Sequence, residues 1–425
     1  MGCGGGGDSN ESAGTSSGAS ATPPAGNIEI WLAGLFATAT PGTPYRKWID
    51  AQVSRFEKKF PGSSVKVTLL PANNDQFSAR IQAAFTSGQV PDAMLIYSGG
   101  YTSPYTSSLR ELNDYVDRDG IYGGITNWDL SCENFDCQDG QAKIYGVPID
   151  FGTYGLYYNK ALFQKAGISG PPKDWDELLT DCDKLKSSGI TPVTYGDRDG
   201  YSTDNWVTLM YASYFDEGDV ARVDSGDIKY TDPKLVQPLE RLVQLRENGC
   251  VNEDASTREN SDANNLFISK KTAMVLIYPA VISTFEDALG KDLGVAPIPV
   301  SGDGPLAGRV AGNSFHNWVI PKDSPNPDLA WEFVKIASDA TAGKQELQLL
   351  ATPPANKSAG ATVDDPIVRF FLDAAEDPAM PVLDSVIPVD VALFYYKQLQ
   401  AAFAGKATPQ QAMQNVEDAL PRLNP

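Results

Sequence analysis

The sequence predicts an α/β protein in which helices cover the faces of a mainly parallel sheet. Short apolar runs alternate with amphipathic helical segments from Asn27 onward. Hydrophobic residues make up 42% and charged residues 21% of the 425 residues, which is typical of a globular protein with large cores. No apolar run approaches the roughly 20 residues of a membrane-spanning helix.

The first five elements follow a β-α-β-α-β order, which implies parallel strands. Ile28–Leu32, Val65–Leu70 and Ala93–Tyr97 have the apolar content of buried strands. A helix between the first two strands ends at Pro61-Gly62, and its apolar face consists of Tyr45, Ile49, Val53, Phe56 and Phe60. The second helix carries Phe77, Ile81, Ala84 and Phe85 on one face.

Ligands on such sheets bind outside the carboxyl ends of the strands. Each of the three predicted strands is followed by a loop with aromatic or polar side chains. These are Phe36 and Thr38 after the first strand, Asn74 and Gln76 after the second, and Tyr97 and Tyr101 at and after the third.

The stretch from Lys143 to Lys186 predicts two short strands and two capped helices. Asn159 has the position of an N-cap, and Asp174 with Glu177 has the spacing of a capping box. Between the strands lies the segment Asp150-Phe151-Gly152-Thr153-Tyr154, in which a carboxyl and two rings flank a glycine. We therefore expect this loop, including Asp150 and Tyr154, to line a pocket.

Three motifs in this stretch carry a family resemblance. They are Tyr145-Gly146-Val147-Pro148, Leu156-Tyr157-Tyr158-Asn159-Lys160, and the run from Pro171 to Leu179, PPKDWDELL. In this order and spacing they resemble the central signature of the family 1 extracellular solute-binding proteins, the sugar-capturing subunits of bacterial ABC importers. The later segments FISKKTAMVL (267–276) and NSFHNWVIPKDSPNPDLAWEFVKIAS (313–338) are similar to the same family.

The resemblance implies a two-lobed, periplasmic-binding-protein-like fold of type II, with a hinge and a cleft between the lobes. We place lobe one at residues 27–142 plus 300–358 and lobe two at residues 143–299 plus 359–425. It also implies that the chain is not an enzyme, binds no cofactor, and hands a small carbohydrate to a membrane permease, most simply as a monomer.

Further candidate ligand contacts come from predicted strand ends, helix starts and loops. Asp204 and Trp206 begin a helix, and Tyr278 ends the AMVL strand. The family commonly has a Trp a few residues past AMVL, but Ala280 stands there in this chain, so Tyr278 is expected to replace that stacking contact. Tyr395 matches the place of another stacking aromatic. The returning loop adds Asn313, Phe315, His316 and Asn317. For Phe36, Phe315 and Trp206 a place in the core is the alternative, and His316 has a structural role as its alternative.

The cysteines and the N-terminus predict an extracytoplasmic protein. Residues 1–26 are rich in Gly, Ser, Ala and Thr and are expected to form a disordered tether, with Cys3 lipidated as in a bacterial lipoprotein. An incidental cysteine is the alternative. We predict the disulfides Cys132–Cys137 and Cys182–Cys250, with buried free thiols as the alternative. A single His and the lack of a CxxC pair argue against a zinc site.

The charge excludes some classes of partner. The net charge is −20, which argues against nucleic acid because phosphate binding needs clustered Lys and Arg. Three functions stay open: a carbohydrate-binding importer subunit, the same fold binding a polyamine, chelate or peptide, and a glycoside hydrolase, which would need two carboxyls facing one bond.

Overall fold

The computed structural model describes residues 1, 25–71, 74–133, 142–198, 200–360 and 363–423, with backbone only for Asn74, Asp75 and Ser261. The strands in chain order are β1 (Asn27–Leu32), β2 (Ser64–Leu69), β3 (Ala93–Tyr97), β4 (Gly146–Pro148), β5 (Gly155–Asn159), β6 (Thr191–Thr194), β7 (Thr272–Ile277), β8 (Leu293–Ala296) and β9 (His316–Val319).

The helices before β7 are α1 (Pro44–Lys59), α2 (Asn74–Ser87), α3 (Asn113–Asp119), α4 (Lys160–Lys165), α5 (Trp175–Ser187), α6 (Tyr201–Tyr211), α7 (Asp219–Asp224), α8 (Pro233–Glu247) and α9 (Asn260–Ile268). Those after β7 are α10 (Ile282–Leu289), α11 (Pro327–Ala337), α12 (Ala340–Leu350), α13 (Pro366–Glu376), α14 (Val389–Phe403) and α15 (Pro409–Leu423).

Two sheets form the centres of two lobes, as expected. The sheet of lobe one has the order β2-β1-β3-β9-β4, and the sheet of lobe two has the order β6-β7-β5-β8. β1, β2 and β3 pair in parallel, whereas β9 runs antiparallel to β3 and β4. The β-α-β-α-β prediction is therefore confirmed for the first part of the chain.

Apolar side chains cover both faces of each sheet. Along β1, Ile30 and Leu32 join one core cluster, whereas Trp31 between them joins another on the opposite face. In lobe two, Leu156 and Tyr157 divide in the same way between two clusters. Because successive strand residues point to opposite faces, each lobe is stabilised by two apolar layers.

Local capping occurs where the sequence predicts it. The Asn159 side chain accepts a hydrogen bond from the backbone N–H of Leu162, 3.1 Å away, and starts α4. The Asp174 side chain accepts from the N–H of Glu177 at 2.8 Å, and Glu177 accepts from the N–H of Lys173 at 2.9 Å. These bonds satisfy backbone donors that have no partner inside a helix.

The chain crosses between the lobes at residues that follow β4 and precede β9. Isolated bridges join Asp150 to Pro354 and Gly152 to Asn313. A Cβ atom on Gly152 would lie 2.0 Å from the ring of Phe315, so this crossing requires glycine. The sheets also differ from the boundaries we predicted. β4 lies in the sheet of lobe one although it follows residue 142, and Leu306 and Ala311 pack in the core of lobe two although they follow residue 300.

The cysteines give one correction. Cys182 and Cys250 are free, buried thiols rather than a disulfide. They are neighbours in the core of lobe two, where the hydrogen bond to Cys250, followed by burial, raises the pKa of the Cys182 thiol. The four cysteines after Cys3 form an even set, which predicts pairing, but these two thiols are close without being bonded to each other. Cys132 is disulfide-bonded. Its predicted partner Cys137 lies outside the described residues, as do Cys3 and residues 2–24.

Candidate ligand-binding cleft

A cleft of about 530 Å³ lies between the two sheets, and residues from both lobes line it. The end of β3 and the loops beside it contribute Leu35, Tyr97, Ser98 and Tyr101, and Phe315 lies at the crossing. Lobe two contributes Tyr154, Tyr201, Asp204, Asn205, Thr208, Tyr278, Val382, Asp384, Ser385, Leu393 and Tyr396. The lining thus combines several aromatic rings with a small number of polar groups.

The lobes touch closely beside the cleft. Gly99 has a φ of +61°, and a Cβ atom there would lie 1.8 Å from the backbone oxygen of Ser385. A Cβ atom on the neighbouring Gly100 would lie 2.3 Å from the backbone oxygen of Ile387. Only glycine allows this approach, so the loop after β3 can meet the turn that precedes α14.

Tyr97 is held in the cleft wall by a buried histidine. The Tyr97 and His316 rings stack with their centroids 4.9 Å apart and an angle of 28° between their planes. Burial raises the pKa of the Tyr97 hydroxyl, so this group is a neutral hydrogen-bonding group at any physiological pH.

Asp150 fixes the position of His316 from the side that faces away from the cleft. Its Oδ1 accepts hydrogen bonds from the backbone N–H groups of Phe315 at 3.1 Å and His316 at 2.8 Å, and its Oδ2 lies 2.5 Å from Nδ1 of His316. Asp150 and His316 are 2% and 1% exposed. Neither lines the cleft, so the pair supports Tyr97 and Phe315 from the second layer.

Two carboxyl groups of lobe two face the cleft. Asp204 on α6 is 1% exposed, and its Oδ1 has no hydrogen-bond partner among the described residues. Burial, followed by the charge of Asp384, raises the pKa of Asp204 well above its ordinary value. Burial also raises the pKa of Asp384, although its carboxyl accepts a hydrogen bond from the Tyr396 hydroxyl at 2.5 Å.

The structure brings six of the predicted contacts together in the cleft lining: Tyr97, Tyr101, Tyr154, Asp204, Tyr278 and Phe315. Four others are buried just behind the lining or in the adjoining segment. Asp150 and His316 form the pair described above, Asn313 accepts from the N–H of Val382 at 2.8 Å, and Asn317 donates to the Ser131 hydroxyl at 3.2 Å.

The remaining predicted contacts lie elsewhere. Phe36 packs in the core of lobe one against Tyr45 and Trp48, and Trp206 lies in the core of lobe two. Tyr395 is buried and shares a hydrogen bond with the hydroxyl of Tyr211. Thr38 and Gln76 are exposed, and the side chain of Asn74 lies outside the described part of the chain.

Sequence reasoning missed several lining residues on α6 and α14, although helical spacing could have found them. Tyr201, Asp204 and Thr208 recur at three- and four-residue intervals and share one face of α6. On α14, Leu393 and Tyr396 are three residues apart and both line the cleft, whereas Tyr395 packs in the core of lobe two without reaching it. Asp384 carried no sequence signal, because it lies in a short turn between helices.

No helix within the described residues is long and apolar enough to span a membrane. Within the same residues, no cluster of three or more His, Cys, Asp or Glu side chains is arranged to hold a metal ion. The residues that line the cleft offer rings, hydroxyls, an amide and two carboxyls to a ligand.

Comparison with known proteins agrees with this architecture. The chain is 22% identical over 396 residues to the sn-glycerol-3-phosphate-binding periplasmic protein UgpB of Escherichia coli (strain K12), with 86% of this chain and 87% of UgpB covered. The solved structure of a chitin oligosaccharide binding protein superposes with a TM-score of 0.81 at 19% identity, covering 94% of this chain and 98% of that one. Maltose-bound MalE3 of T. maritima gives a TM-score of 0.75 at 19% identity, covering 94% and 100%.

The family model described as bacterial extracellular solute-binding protein matches residues 37–344, which is more than half of the chain. This match, together with the two sheets and the cleft between them, means that the chain belongs to the bacterial extracellular solute-binding proteins of ABC transporters.

Proposed function

We propose that this protein captures a carbohydrate between its two lobes and delivers it to a membrane permease. The observation that carries the proposal is the composition of the cleft, in which rings from both lobes surround a few polar groups. The C–H face of a sugar packs on flat aromatic rings, and its hydroxyls need partners because an unpaired buried polar group costs about 1–3 kcal/mol.

The position of the rings supports capture by closure. Tyr97 and Tyr101 belong to lobe one, whereas Tyr154 and Tyr278 belong to lobe two. A ligand that touches both sets gains contacts only when the lobes are together, so it favours the closed form by its differential affinity.

The cleft chemistry favours an uncharged or cationic ligand over a phosphate. The E. coli relative is named for sn-glycerol-3-phosphate, but the described residues that line this cleft include neither Lys nor Arg. A phosphate dianion beside two carboxyls and without a cation would lose its hydration without compensation. The ligands for which the two structural neighbours are named, chitin oligosaccharide and maltose, are saccharides and support the carbohydrate proposal.

A thermal-shift screen against mono- and oligosaccharides tests the proposal, followed by calorimetric titration of those that raise the melting temperature. A ligand that binds only the folded state stabilises it by mass action. We expect Tyr278→Ala to weaken binding at least tenfold, because it removes a half-buried ring from the cleft wall.

The matched control is Tyr122→Ala. Tyr122 is 42% exposed and does not line the cleft, so its removal should leave the affinity unchanged. Binding of a saccharide that is equally tight in the Tyr278→Ala variant would place the ligand outside this cleft. Incubation with aryl glycosides serves as a check on chemistry, since we expect no aglycone release from a transport receptor, and turnover would favour a glycoside hydrolase instead.

A further inference from the structure

Two acidic side chains of the cleft wall indicate which chemical class of solute the cleft binds. Asp204 on α6 and Asp384 in the turn before α14 both line the cleft, and the charge of one acts on the other. Asp204 is almost fully buried, yet its Oδ1 finds no hydrogen-bond partner in the described part of the protein. A buried acceptor without a partner is costly, so a donor group is expected to arrive with the ligand.

No basic side chain lies among the described lining residues to balance this pair. The groups around the pair are themselves neutral or acidic. They include Asp197, which precedes α6, and the hydroxyls of Tyr97, Tyr154, Tyr195, Tyr211, Tyr230, Tyr395 and Tyr396. The whole chain carries a net charge of −20, which adds a long-range field of the same sign.

The aromatic rings of the lining fit the same ligand. Tyr and Phe present negative faces to a cation, and the attraction is largest where water is excluded. A cationic group at Asp204 and Asp384 would therefore meet carboxyl oxygens in a cleft whose lining also includes aromatic rings.

We propose that the physiological ligand is a saccharide that carries a protonated amino group, and that Asp204 and Asp384 bind this group. The inference rests on the proposed function, since it specifies which kind of carbohydrate the cleft selects. The ammonium donates hydrogen bonds to the carboxylate oxygens, including the unpartnered Oδ1 of Asp204, and such charge-assisted bonds are about twice as strong as neutral ones.

We expect binding of this kind to release protons. In the empty cleft, burial and mutual repulsion favour the protonated carboxyls, whereas a bound ammonium favours the ionised ones. The proton leaves to the buffer. A neutral sugar brings no charge that would ionise the pair, so it does not drive this release.

The experiment compares matched saccharide pairs that differ only in one group. Glucosamine, galactosamine and the β-1,4-linked glucosamine disaccharide are each titrated beside their N-acetylated forms, at an acidic pH where the free amine is fully protonated. We expect at least one amino form to bind at least tenfold more tightly than its N-acetylated partner. Calorimetry in two buffers of different ionisation enthalpy is expected to show proton release for the amino form only.

Two variants test whether Asp204 and Asp384 cause the preference for the amino form. Asp204→Asn and Asp384→Asn are each expected to weaken binding of the amino form at least tenfold and to reduce the number of protons released. Asp418→Asn removes one exposed negative charge on α15, outside the cleft, and is the control for long-range charge.

The outcomes separate the two proposals. Equal or tighter binding of the N-acetylated forms overturns the inference and leaves carbohydrate capture intact. Absence of binding by every saccharide overturns both. If Asp204→Asn does not fold, Asp384→Asn decides, because unchanged affinity of that variant for the amino form contradicts the inference.

Discussion

Replacing Asp150 tests whether the layer behind the cleft is a structural support. Asp150→Ala removes the acceptor of two backbone N–H groups and the partner of His316 Nδ1, and the Asp150 and His316 side chains are both almost fully buried. We expect the free energy of unfolding to fall by roughly 3–5 kcal/mol. Three buried donors that each lose a partner cost about 1–3 kcal/mol apiece, and partial entry of water reduces the sum.

Asp150→Asn separates the hydrogen bonds from one another. The amide keeps an oxygen where Oδ1 accepts from the N–H groups of Phe315 and His316, so only the contact to Nδ1 changes. The amide NH₂ can donate to His316 in its other tautomer. We therefore expect a loss of only about 1–2 kcal/mol for this variant.

The assay is equilibrium unfolding in urea, followed by tyrosine and tryptophan fluorescence, with Asp418→Ala as an exposed control that should change stability by less than about 0.5 kcal/mol. If Asp150→Ala falls within about 1 kcal/mol of the unmodified protein, the three hydrogen bonds are not the support that we describe. If Asp150→Asn lowers the free energy of unfolding as much as Asp150→Ala does, then the carboxylate charge, and not the hydrogen bonds that an amide oxygen can keep, stabilises this region.

Two further predictions concern pH. Burial, followed by the charge of Asp150, raises the pKa of Glu346 well above its ordinary value, so the folded protein loses stability as pH rises from the unfolded-state pKa of this group. Glu346→Gln should therefore raise the melting temperature, and the gain should grow from about pH 5 to about pH 8. A gain that is constant with pH would contradict this. Asp119 behaves in the opposite sense, because hydrogen bonds from Arg118, Trp331 and Lys335 outweigh burial and lower its pKa. Asp119→Asn should lower the free energy of unfolding by about 1–3 kcal/mol at neutral pH. Urea unfolding should show that this difference from the unmodified protein shrinks as pH falls below the unfolded-state pKa of Asp119. A difference that persists undiminished in acid would exclude a contribution from the lowered pKa.

The pair of buried carboxyls in the cleft also bears on stability. Burial, followed by the charge of Asp384, raises the pKa of Asp204 in the folded state, so the protein loses stability as pH rises, and the ammonium that we propose as ligand would offset this loss by compensating the carboxylate charge.

The sequence by itself determined the local structure and much of the lobe architecture. Alternating apolar residues in β1 and the caps at Asn159 and Asp174 act over a few residues, so their consequences can be worked out from neighbours along the chain. Tyr97, Tyr154 and Tyr278 followed from the rule that loops at strand ends form sites, since that rule depends on chain order.

Only the tertiary structure decided which side chains share the cleft. Tyr395 and Tyr396 are adjacent in sequence and both pack in the core of lobe two, yet only Tyr396 also lines the cleft, because a helix turns about 100° per residue and its rotation is fixed by packing on α6, α8 and α15. Asp204 and Asp384 are brought together by packing between segments far apart in the chain. Likewise, Cys182 and Cys250 are neighbours in the core but remain thiols. Long-range packing sets distances and directions that no local pattern contains, and the chemistry of the cleft depends on both.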